Sequence, residues 1–273
     1  MRIAWIPAFL STLALAACGS VAVAPDGSSD GPPPSDGPPT DGPPADGPPP
    51  GPIPVIHWTL DDNVNNSGAL TGYSLTTPGG ISYGDGKVGR AAIFGQGQYS
   101  NVAGMRASLD TYAKVTIAFW LNVSGNPPNA ILDINNRTNA PYGGIQLGIS
   151  AQSVSLCVST LSNPFLSGSC SGFNNTLGAA WHHWIIRYDG AGTAAGQGGP
   201  VQVYVDDILV HTRANDTAND PVFNTTGTPD VLSIGTAGTM FDDVRIYNQV
   251  FAPPEQCTQI IGGTWNGQSC ALP

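Results

Sequence analysis

The sequence predicts an all-β fold, in which two antiparallel sheets pack as one sandwich behind a non-globular N-terminal segment. Residues Val201–Asp206 alternate apolar and polar side chains, which is the period of a half-buried strand. Asp206-Asp207 then separates two β-rich runs, where a two-residue hairpin turn is expected. Similar short runs, divided by Gly, Asn and Pro, recur over the roughly 200 residues from Pro54 to Pro254, a length that suits one large sandwich.

The first 18 residues are predicted to be a signal peptide. Arg2 precedes an apolar run from Ile3 to Leu15, which is too short to be a stable membrane span. The run ends in Leu-Ala-Ala-Cys18-Gly, which resembles a bacterial lipoprotein box. Acyl chains on Cys18 would anchor the protein to a membrane, and Gly19 favours the outer membrane and cell surface. The alternative is an ordinary signal peptide cut after Ala24.

Residues 19–53 are predicted to be a disordered linker. Asp-Gly-Pro-Pro recurs at Asp30, Asp36, Asp41 and Asp46. Proline lacks a backbone donor and glycine resists ordering, so such a segment forms no packed core. The proline pairs favour extended polyproline II joined at flexible Asp-Gly steps, so we expect a tether that holds the following domain away from the membrane.

The charge balance is acidic, with a net charge of −10. Five of the 19 acidic residues lie in the linker and one of the nine basic residues lies in the signal segment, which leaves 14 acidic and eight basic residues elsewhere. Nucleic-acid binding needs a basic surface, so the composition argues against a nucleic-acid partner.

The predicted strands follow one another with short turns between them. Lys114–Val123 is the clearest, because Val115, Ile117, Phe119 and Leu121 share one face and Trp120 lies on the other. Trp120 is either a platform for stacking a sugar or a side chain covered by other parts of the protein. In chain order the strands are 55–60, 90–95, 99–102, 114–123, 130–135, 144–149, 153–159, 168–173, 181–188, 201–206, 208–213, 231–235 and 241–247. Short helical turns are predicted only at 104–110 and 253–261.

The amino-acid pattern of the central strands resembles that of a known family. Trp181–Gly190 reads W-H-H-W-I-I-R-Y-D-G and is followed by V-Y-V-D-D, with Asp207 where the family typically has Gly. Similar matches occur at Val115–Val123 and Phe241–Val250. Together they resemble the laminin-G-like, concanavalin A-like domains of bacterial surface proteins over residues 54–254. The resemblance implies a jelly-roll sandwich, and it leaves residues 255–273 as a C-terminal tail.

Four cysteines remain after Cys18, which in an exported chain predicts two disulfides with three possible connectivities. Cys157 and Cys170 lie on neighbouring predicted strands, and Cys257 and Cys270 bracket a compact, turn-rich tail. We therefore favour these two pairs over the alternatives, and over a metal site, because no Cys-x-x-Cys motif is present. The tail bridge is expected to matter less for stability, since the tail is predicted to lie outside the sandwich.

No catalytic residues are predicted. Jelly-roll glucanases use two nearby carboxylates, whereas this chain has one glutamate, Glu255, next to the tail. The adjacent Asp pairs at 61–62, 206–207 and 242–243 point to opposite faces if they lie on strands. No nucleophile elbow is visible. A polysaccharide lyase is the open alternative, because Arg245-Ile246-Tyr247 resembles a lyase strand, although no matching Gln-x-His segment is found.

A structural calcium ion is implied by the family resemblance. Asp61 and Asn66 lie in an opening that resembles the family's Phe-Asp-Glu…Asp-x-Ser-Gly segment, and Asp242 begins the closing strand. In relatives with calcium, oxygens from these two segments meet. Alternation places Asp242 on the face of Val244 and Ile246, where a carboxylate needs a partner. The alternative is that Asp242 caps backbone amides without an ion.

The sequence therefore favours a cell-surface lipoprotein that presents a non-catalytic module and binds an extracellular or envelope carbohydrate. Two alternatives stay open. One is a polysaccharide-degrading lyase or hydrolase, and the other is a structural or adhesive envelope protein that binds a protein partner. The sequence singles out no ligand-contacting residue.

Overall fold

The computed structural model describes residues 51–95, 100–103, 109, 112–124, 130–136, 143–150, 153–159, 170–174, 177–190, 199–213 and 231–273. The predicted signal peptide, Cys18, nearly all of the linker and most of the possible helix at 104–110 lie outside these residues. No helix in the described part of the chain is both long and apolar enough to cross a membrane.

Sixteen strands are described, and all their pairings are antiparallel. They are β1 (Ile56–Trp58), β2 (Ser82–Asp85), β3 (Arg90–Phe94), β4 (Ser100–Ala103), β5 (Lys114–Val123), β6 (Ala130–Asn136), β7 (Gly143–Ile149), β8 (Ser153–Ser159), β9 (Cys170–Asn174), β10 (Trp181–Asp189), β11 (Val201–Val205), β12 (Ile208–Arg213), β13 (Val231–Ile234), β14 (Thr239–Tyr247), β15 (Thr264–Trp265) and β16 (Cys270–Ala271).

The strands form the two large sheets that the sequence predicts. The larger sheet has eight strands in the order β12-β11-β10-β5-β14-β3-β2, with β1 also paired to β14. The smaller sheet has six strands in the order β4-β13-β6-β7-β8-β9. Strands that are distant in sequence are neighbours in both sheets, so the fold is a jelly-roll sandwich and the prediction of an all-β domain is confirmed.

The core lies between the inner faces of the two sheets. Val115, Ile117, Phe119 and Leu121 of β5 point into it, as alternation predicts. Phe241 of β14 lies at the centre of an aromatic group, with its ring centroid 5.3 Å from Phe119 and 5.9 Å, edge-to-face, from Phe94. The apolar side chains of the smaller sheet face them and complete one continuous core.

The two-residue turn between β11 and β12 forms at Asp206-Asp207 as predicted. Both residues adopt positive φ, 50° and 66°, as a type I′ turn requires. Aspartate tolerates this conformation because its short side chain can bond locally. Here Asp206 Oδ1 accepts the backbone N–H of His183 at 2.9 Å, and Asp207 Oδ1 accepts Gln256 Nε2 at 2.7 Å. Side-chain bonds therefore support a turn that usually takes glycine.

The C-terminal tail packs against the outer face of the larger sheet. It consists of a short helix α1 (Pro253–Glu255), a π-helical segment Gln256–Ile261 and the β15–β16 hairpin. The tail lies outside the two sheets, as the sequence suggests, but it packs on the larger one, because the outer face carries apolar side chains that need cover. That its disulfide matters less for stability than the other one stays a prediction. The tail and the sheet share a second buried cluster of Ala118, Ile185, Tyr247, Phe251, Ile260 and Ile261.

Hydrogen bonds hold the C-terminal segment against the larger sheet at several points. Arg187 Nη1 donates to the Phe251 carbonyl at 3.0 Å, and Arg245 Nη1 donates to the Ile260 carbonyl at 3.3 Å. Lys87 Nζ, from the β2–β3 turn, donates to the Pro273 carbonyl at 3.0 Å. The tail and the segment just before it are therefore tied to three different parts of the larger sheet.

Candidate functional site

The turn between β2 and β3, residues Gly86–Gly89, lies beside the carboxylate of Asp242. Asp242 Oδ2 accepts the backbone N–H of Val88 at 2.7 Å. A Cβ on Gly86 would lie 2.6 Å from the same oxygen, so glycine permits this approach. Asp242 Oδ1 is buried and has no hydrogen-bond partner in the described part of the chain. Burial raises the pKa of Asp242 to about 6, although the amide of Val88 opposes the shift.

A bulge in β14 decides which way Asp242 points. Asp242 pairs with Trp120, whereas Arg245 pairs with Ala118, so an extra residue lies between them on β14. Asp243 takes a positive φ of 50° at this bulge. The prediction that Asp242 shares the core face with Val244 is wrong for this reason, because the bulge resets the alternation and leaves Asp242 on the outer face.

Asp61 lies on the other side of the same turn. Its Oδ1 accepts the backbone N–H of Arg90 at 2.6 Å. Gly89 has a φ of 69°, and a Cβ there would collide with Asp61 Oδ1, so the turn fits the carboxylate only with glycine. The predicted pair Asp61 and Asp242 is therefore brought to one turn, where each carboxylate accepts backbone amides.

Asn66 plays a different part from the metal ligand that the sequence suggests. Its Oδ1 accepts the backbone N–H groups of His57 and Gly68, both at 2.9 Å, and its Nδ2 donates to the Leu70 carbonyl. Both lone pairs of the amide oxygen are used, so Asn66 fastens the loop after β1 and has no oxygen left for an ion. Among the residues that the structure describes, no group of three or more His, Cys, Asp or Glu side chains is arranged to hold a metal.

A charged network that the sequence did not reveal lies next to Asp242 on the outer face. Asp243 Oδ1 is 2.7 Å from His57 Nε2 and accepts Arg245 Nε at 2.9 Å, while its Oδ2 is 2.7 Å from Arg245 Nη2. Burial alone would raise the pKa of Asp243, but the hydrogen bond from His57 and the charge of Arg245 outweigh it and hold that pKa below its usual value. In the sequence, the i, i+2 spacing of Asp243 and Arg245 is the pattern that could have indicated this network.

Two side-chain pairs resemble parts of a hydrolase, and neither forms a complete site. His57 and Asp243 look like a base with its orienting acid, but the described hydrogen bonds of the His57 ring reach no nucleophile. Ser171 Oγ lies 2.7 Å from His211 Nε2, and the described hydrogen bonds of that ring include no carboxylate. The His211 ring instead stacks on Phe173 at 5.3 Å, where it joins β12 of one sheet to β9 of the other.

Trp120 is covered, so it offers no open surface to a ligand. Its side chain is 3% exposed. Lys87 Nζ lies 5.1 Å from the centroid of its ring on one side, and the His183 ring lies 4.9 Å away. His183 is itself buried, and this burial lowers its pKa to about 4, although the carboxylate of Asp243 opposes the shift. With the tail beyond Lys87, the outer face of the larger sheet is closed in this region.

The outer face of the smaller sheet is different, because polar residues form a row across its strands. Ser233 pairs with Asp133, Asp133 with Gln146, Gln146 with Cys157, and Cys157 with Cys170. Gln146 Nε2 donates to Asp133 Oδ2 at 3.0 Å. The neighbouring row is Gly148, Ser155 and Gly172, which are partly or fully exposed. This face therefore presents amide, hydroxyl and backbone groups that the described tail residues do not cover.

The charges are distributed unequally between the sheets. The six strands of the smaller sheet contain one charged residue, Asp133. The described basic residues lie on strands of the larger sheet or in its β2–β3 turn, and they are Lys87, Arg90, Lys114, Arg187, Arg213 and Arg245. A mechanism that needs two carboxylates facing one substrate therefore has only one on the strands of the smaller sheet.

Both disulfides are present with the pairing that the sequence favours. Cys157–Cys170 joins β8 to β9 at directly paired positions, at the end of the polar row. Cys257–Cys270 joins the π-helical segment to β16 and closes the tail that covers the larger sheet. The four cysteines are thus structural in this fold, and none is a free thiol for chemistry.

Comparison with solved structures shows where this fold is found. Domain 4 of AbnA, a GH43 extracellular arabinanase from Geobacillus stearothermophilus, solved with arabinotriose, is similar with a TM-score of 0.53 and 16% identity over 74% of this chain and 96% of that one. The binding domain of botulinum neurotoxin DC is similar in its complex with SialylT (TM-score 0.53, 12% identity) and with rat synaptotagmin II (TM-score 0.51, 13% identity). Each toxin match covers 74% of this chain and half of the toxin chain.

Comparison with sequence families agrees with the fold. No curated protein matches the chain significantly. A family model, Laminin_G_3, described as the concanavalin A-like lectin/glucanases superfamily, matches residues 94–255. That match runs from the end of β3 through β14 to the start of the tail, and so includes most of both sheets. The chain belongs to the concanavalin A-like lectin/glucanases superfamily.

Proposed function

We propose that the protein is a non-catalytic module that binds carbohydrate through the outer face of the smaller sheet, and that a lipid anchor at Cys18 holds it at the cell surface. One observation carries the binding proposal: the polar row Ser233–Asp133–Gln146 and the small residues beside it are exposed or half-exposed, whereas the tail covers the larger sheet. Amide and hydroxyl groups are the partners that sugar hydroxyls need. A similar domain, that of the arabinanase, was solved with an oligosaccharide.

The distribution of carboxylates supports binding rather than cleavage. Asp133 is the one acid on the strands of the smaller sheet, and it accepts a hydrogen bond from Gln146. Glu255, the one glutamate of the chain, accepts the backbone N–H of Ala252 at 3.0 Å at the start of α1. The described strands of this face therefore do not supply both an acid and a nucleophile or base for the two sides of a glycosidic bond.

Glycan binding is expected to depend on Gln146. On an array of neutral and acidic polysaccharides, the exported chain carrying Cys18→Ser should bind a subset, and Gln146→Ala should weaken that binding about tenfold, because one hydrogen-bonding group worth about 1 to 1.5 kcal/mol is lost. Gln202→Ala, which truncates a glutamine on the larger sheet, is the matched control and should leave affinity unchanged.

The same polysaccharides should be assayed for reducing ends and unsaturated products. Product release at enzymatic turnover would contradict the non-catalytic proposal and favour a lyase or hydrolase. If the folded protein binds no glycan in any format, the protein-partner alternative replaces this proposal.

The lipid anchor has its own test. Cys18→Ser should move the protein from the membrane fraction to the soluble fraction, because the acylated sulfur is absent. The acyl chains should also be visible as added mass on the N-terminal peptide of the wild-type protein. Membrane fractionation that Cys18→Ser does not change, together with a wild-type peptide of unmodified mass, would favour the ordinary signal peptide.

A calcium ion at the β2–β3 turn completes the proposal. Asp242 Oδ1, which is buried without a partner, and the second oxygen of Asp61 would hold it with backbone carbonyls and water. The ion would neutralise two carboxylates at one turn and so stiffen the junction of β1, β3 and β14. Asn66 is not included in this ligand set.

Chelation is expected to lower the melting temperature, and excess calcium should restore it, since a ligand at 100 times its Kd stabilises by about 2.7 kcal/mol. Asp242→Asn keeps an oxygen for the Val88 amide but removes the charge, so it should abolish the calcium response without breaking the turn. Asp85→Asn, at an exposed acid close to the turn, is the control. A melting curve of demonstrably metal-free protein that calcium does not change would remove the ion from the proposal.

A further inference from the structure

Strand β12 combines two features that edge strands normally avoid. It pairs with β11 on one side and has no strand beyond it in the described part of the larger sheet. Three consecutive apolar side chains are exposed, with Ile208 at 67%, Leu209 at 48% and Val210 at 37%. Edge strands are usually protected by charges, prolines or short length, yet the five residues from Ile208 to Thr212 contain no Lys, Arg, Asp, Glu or Pro.

A register shift increases the exposure of this edge. On β11, Tyr204 pairs with Leu209 and Val203 pairs with His211, so Val210 has no partner on that strand. His211 is occupied on the other side, by Ser171 and Phe173 of β9. The apolar part of the edge is thus the stretch from Ile208 to Val210, and one residue of it is left out of the β11 ladder.

We infer that this edge pairs with β12 of a second copy of the chain, antiparallel and about a twofold axis at Val210. This register places Val210 opposite its own copy, Leu209 opposite His211, and Ile208 opposite Thr212. It also places Asp207 opposite Arg213 at both ends. A strand with an acid at its start and a base at its end is self-complementary in antiparallel pairing, whereas parallel pairing would oppose like charges.

The size and the symmetry of this β12–β12 interface determine how stable the dimer is and how its sheets are arranged. Three apolar side chains per copy form a small interface, so the dimer should be concentration-dependent rather than permanent. The twofold axis of two antiparallel edge strands stands perpendicular to their sheet. The larger sheets would then join into one continuous sheet, and the smaller sheets of both copies would lie on the same side of it.

Sedimentation of the exported chain carrying Cys18→Ser tests the inference directly. The weight-average mass should rise from monomer toward dimer as the concentration increases, up to roughly 1 mM. Leu209→Lys should shift the association at least tenfold to higher concentration. Val88→Lys is the matched control, because Val88 is similarly exposed, at 50%, but lies in a turn, and it should leave the association unchanged. Thermal melts of each variant serve to check that it is folded.

A charge exchange tests the register. Asp207→Arg and Arg213→Asp should each weaken dimerisation, and the double variant should restore it, because the opposed charges are exchanged but kept. Loss of folding in a single variant cannot mimic restoration in the double variant. A monomer at all concentrations, or an association that Leu209→Lys and Val88→Lys weaken equally, would overturn the inference. A dimer that both single charge variants leave intact would overturn the register.

Discussion

Deletion of the tail after Ala252 should lower the free energy of unfolding by about 3 to 6 kcal/mol. Ile260 and Ile261 are 3% and 5% exposed in the intact chain. Burying an isoleucine side chain contributes roughly 1.5 to 3 kcal/mol, and the deletion removes two. Since domains are typically stable by about 5 to 15 kcal/mol, the truncated chain should be close to unfolding. Urea denaturation of the two proteins measures the difference.

The double variant Ile260→Ala/Ile261→Ala separates packing from chain connectivity, because it keeps the Cys257–Cys270 bridge and the polar bonds to the sheet. It should reproduce much of the destabilisation of the deletion. The deleted chain should also bind a dye for apolar surface, since Ala118 and Ile185 lose their cover. Equal stability of the deleted and intact chains would show that the tail does not pack on the sheet.

Protonation of His183 should destabilise the protein as the pH falls from about 6.5 to 4. Burial lowers the pKa of His183 to about 4 in the folded state, whereas an unfolded histidine titrates near 6.5. The folded state therefore keeps this ring neutral. Its contribution to stability is complete above pH 6.5 and is lost as the pH falls toward 4. A shift of this size corresponds to about 3 kcal/mol across the window.

Asp242 acts in the opposite direction, because its raised pKa of about 6 makes the folded state bind a proton that the unfolded state releases above pH 4. The test is therefore the difference between wild type and His183→Phe, which keeps an aromatic ring beside Trp120 but does not titrate. The unfolding free energy at pH 7 minus that at pH 4.5, measured in chelator, should be more positive in wild type than in the variant by about 2 kcal/mol, since the Asp242 contribution is the same in both proteins. An identical difference in both proteins would contradict a neutral, buried His183.

Much of the fold follows from patterns of period two. All of the strands predicted between residues 55 and 247 are present, and the bounds of Lys114–Val123, Ser153–Ser159 and Ile208–Arg213 match residue for residue. Ser153–Ser159 alternates clearly, whereas Lys114–Val123 and Ile208–Arg213 are recognised as runs rich in β-branched and apolar residues, the former buried on both faces and the latter largely exposed. Ser82–Asp85 was missed, because Ser-Tyr-Gly-Asp at the edge of a sheet has little apolar surface and no alternation to detect.

The candidate sites were less predictable, because they depend on backbone geometry that alternation cannot show. The bulge at Asp243 moves Asp242 from the core face to the outer face, and it is visible only in the strand pairing and the positive φ of the structure. The sequence suggests a separate tail because the tail has few apolar residues. In the structure, Ile260 and Ile261 pack on the outer face of the larger sheet, and that face is apolar there. A sheet buried on one face only would instead carry polar residues on its outer face. The polar face of the smaller sheet carries no motif, since its residues come from strands far apart in sequence.

The near-absence of charge on the strands of the smaller sheet has a kinetic consequence. Charged surfaces capture oppositely charged partners by long-range attraction, and added salt slows such encounters. With Asp133 as its one strand charge, this face exerts little steering, while the described basic side chains lie with the other sheet. A ligand that binds here should associate at nearly the same rate in dilute buffer and at the salt concentration of sea water. Differences in affinity among ligands should then come from differences in their dissociation rates alone.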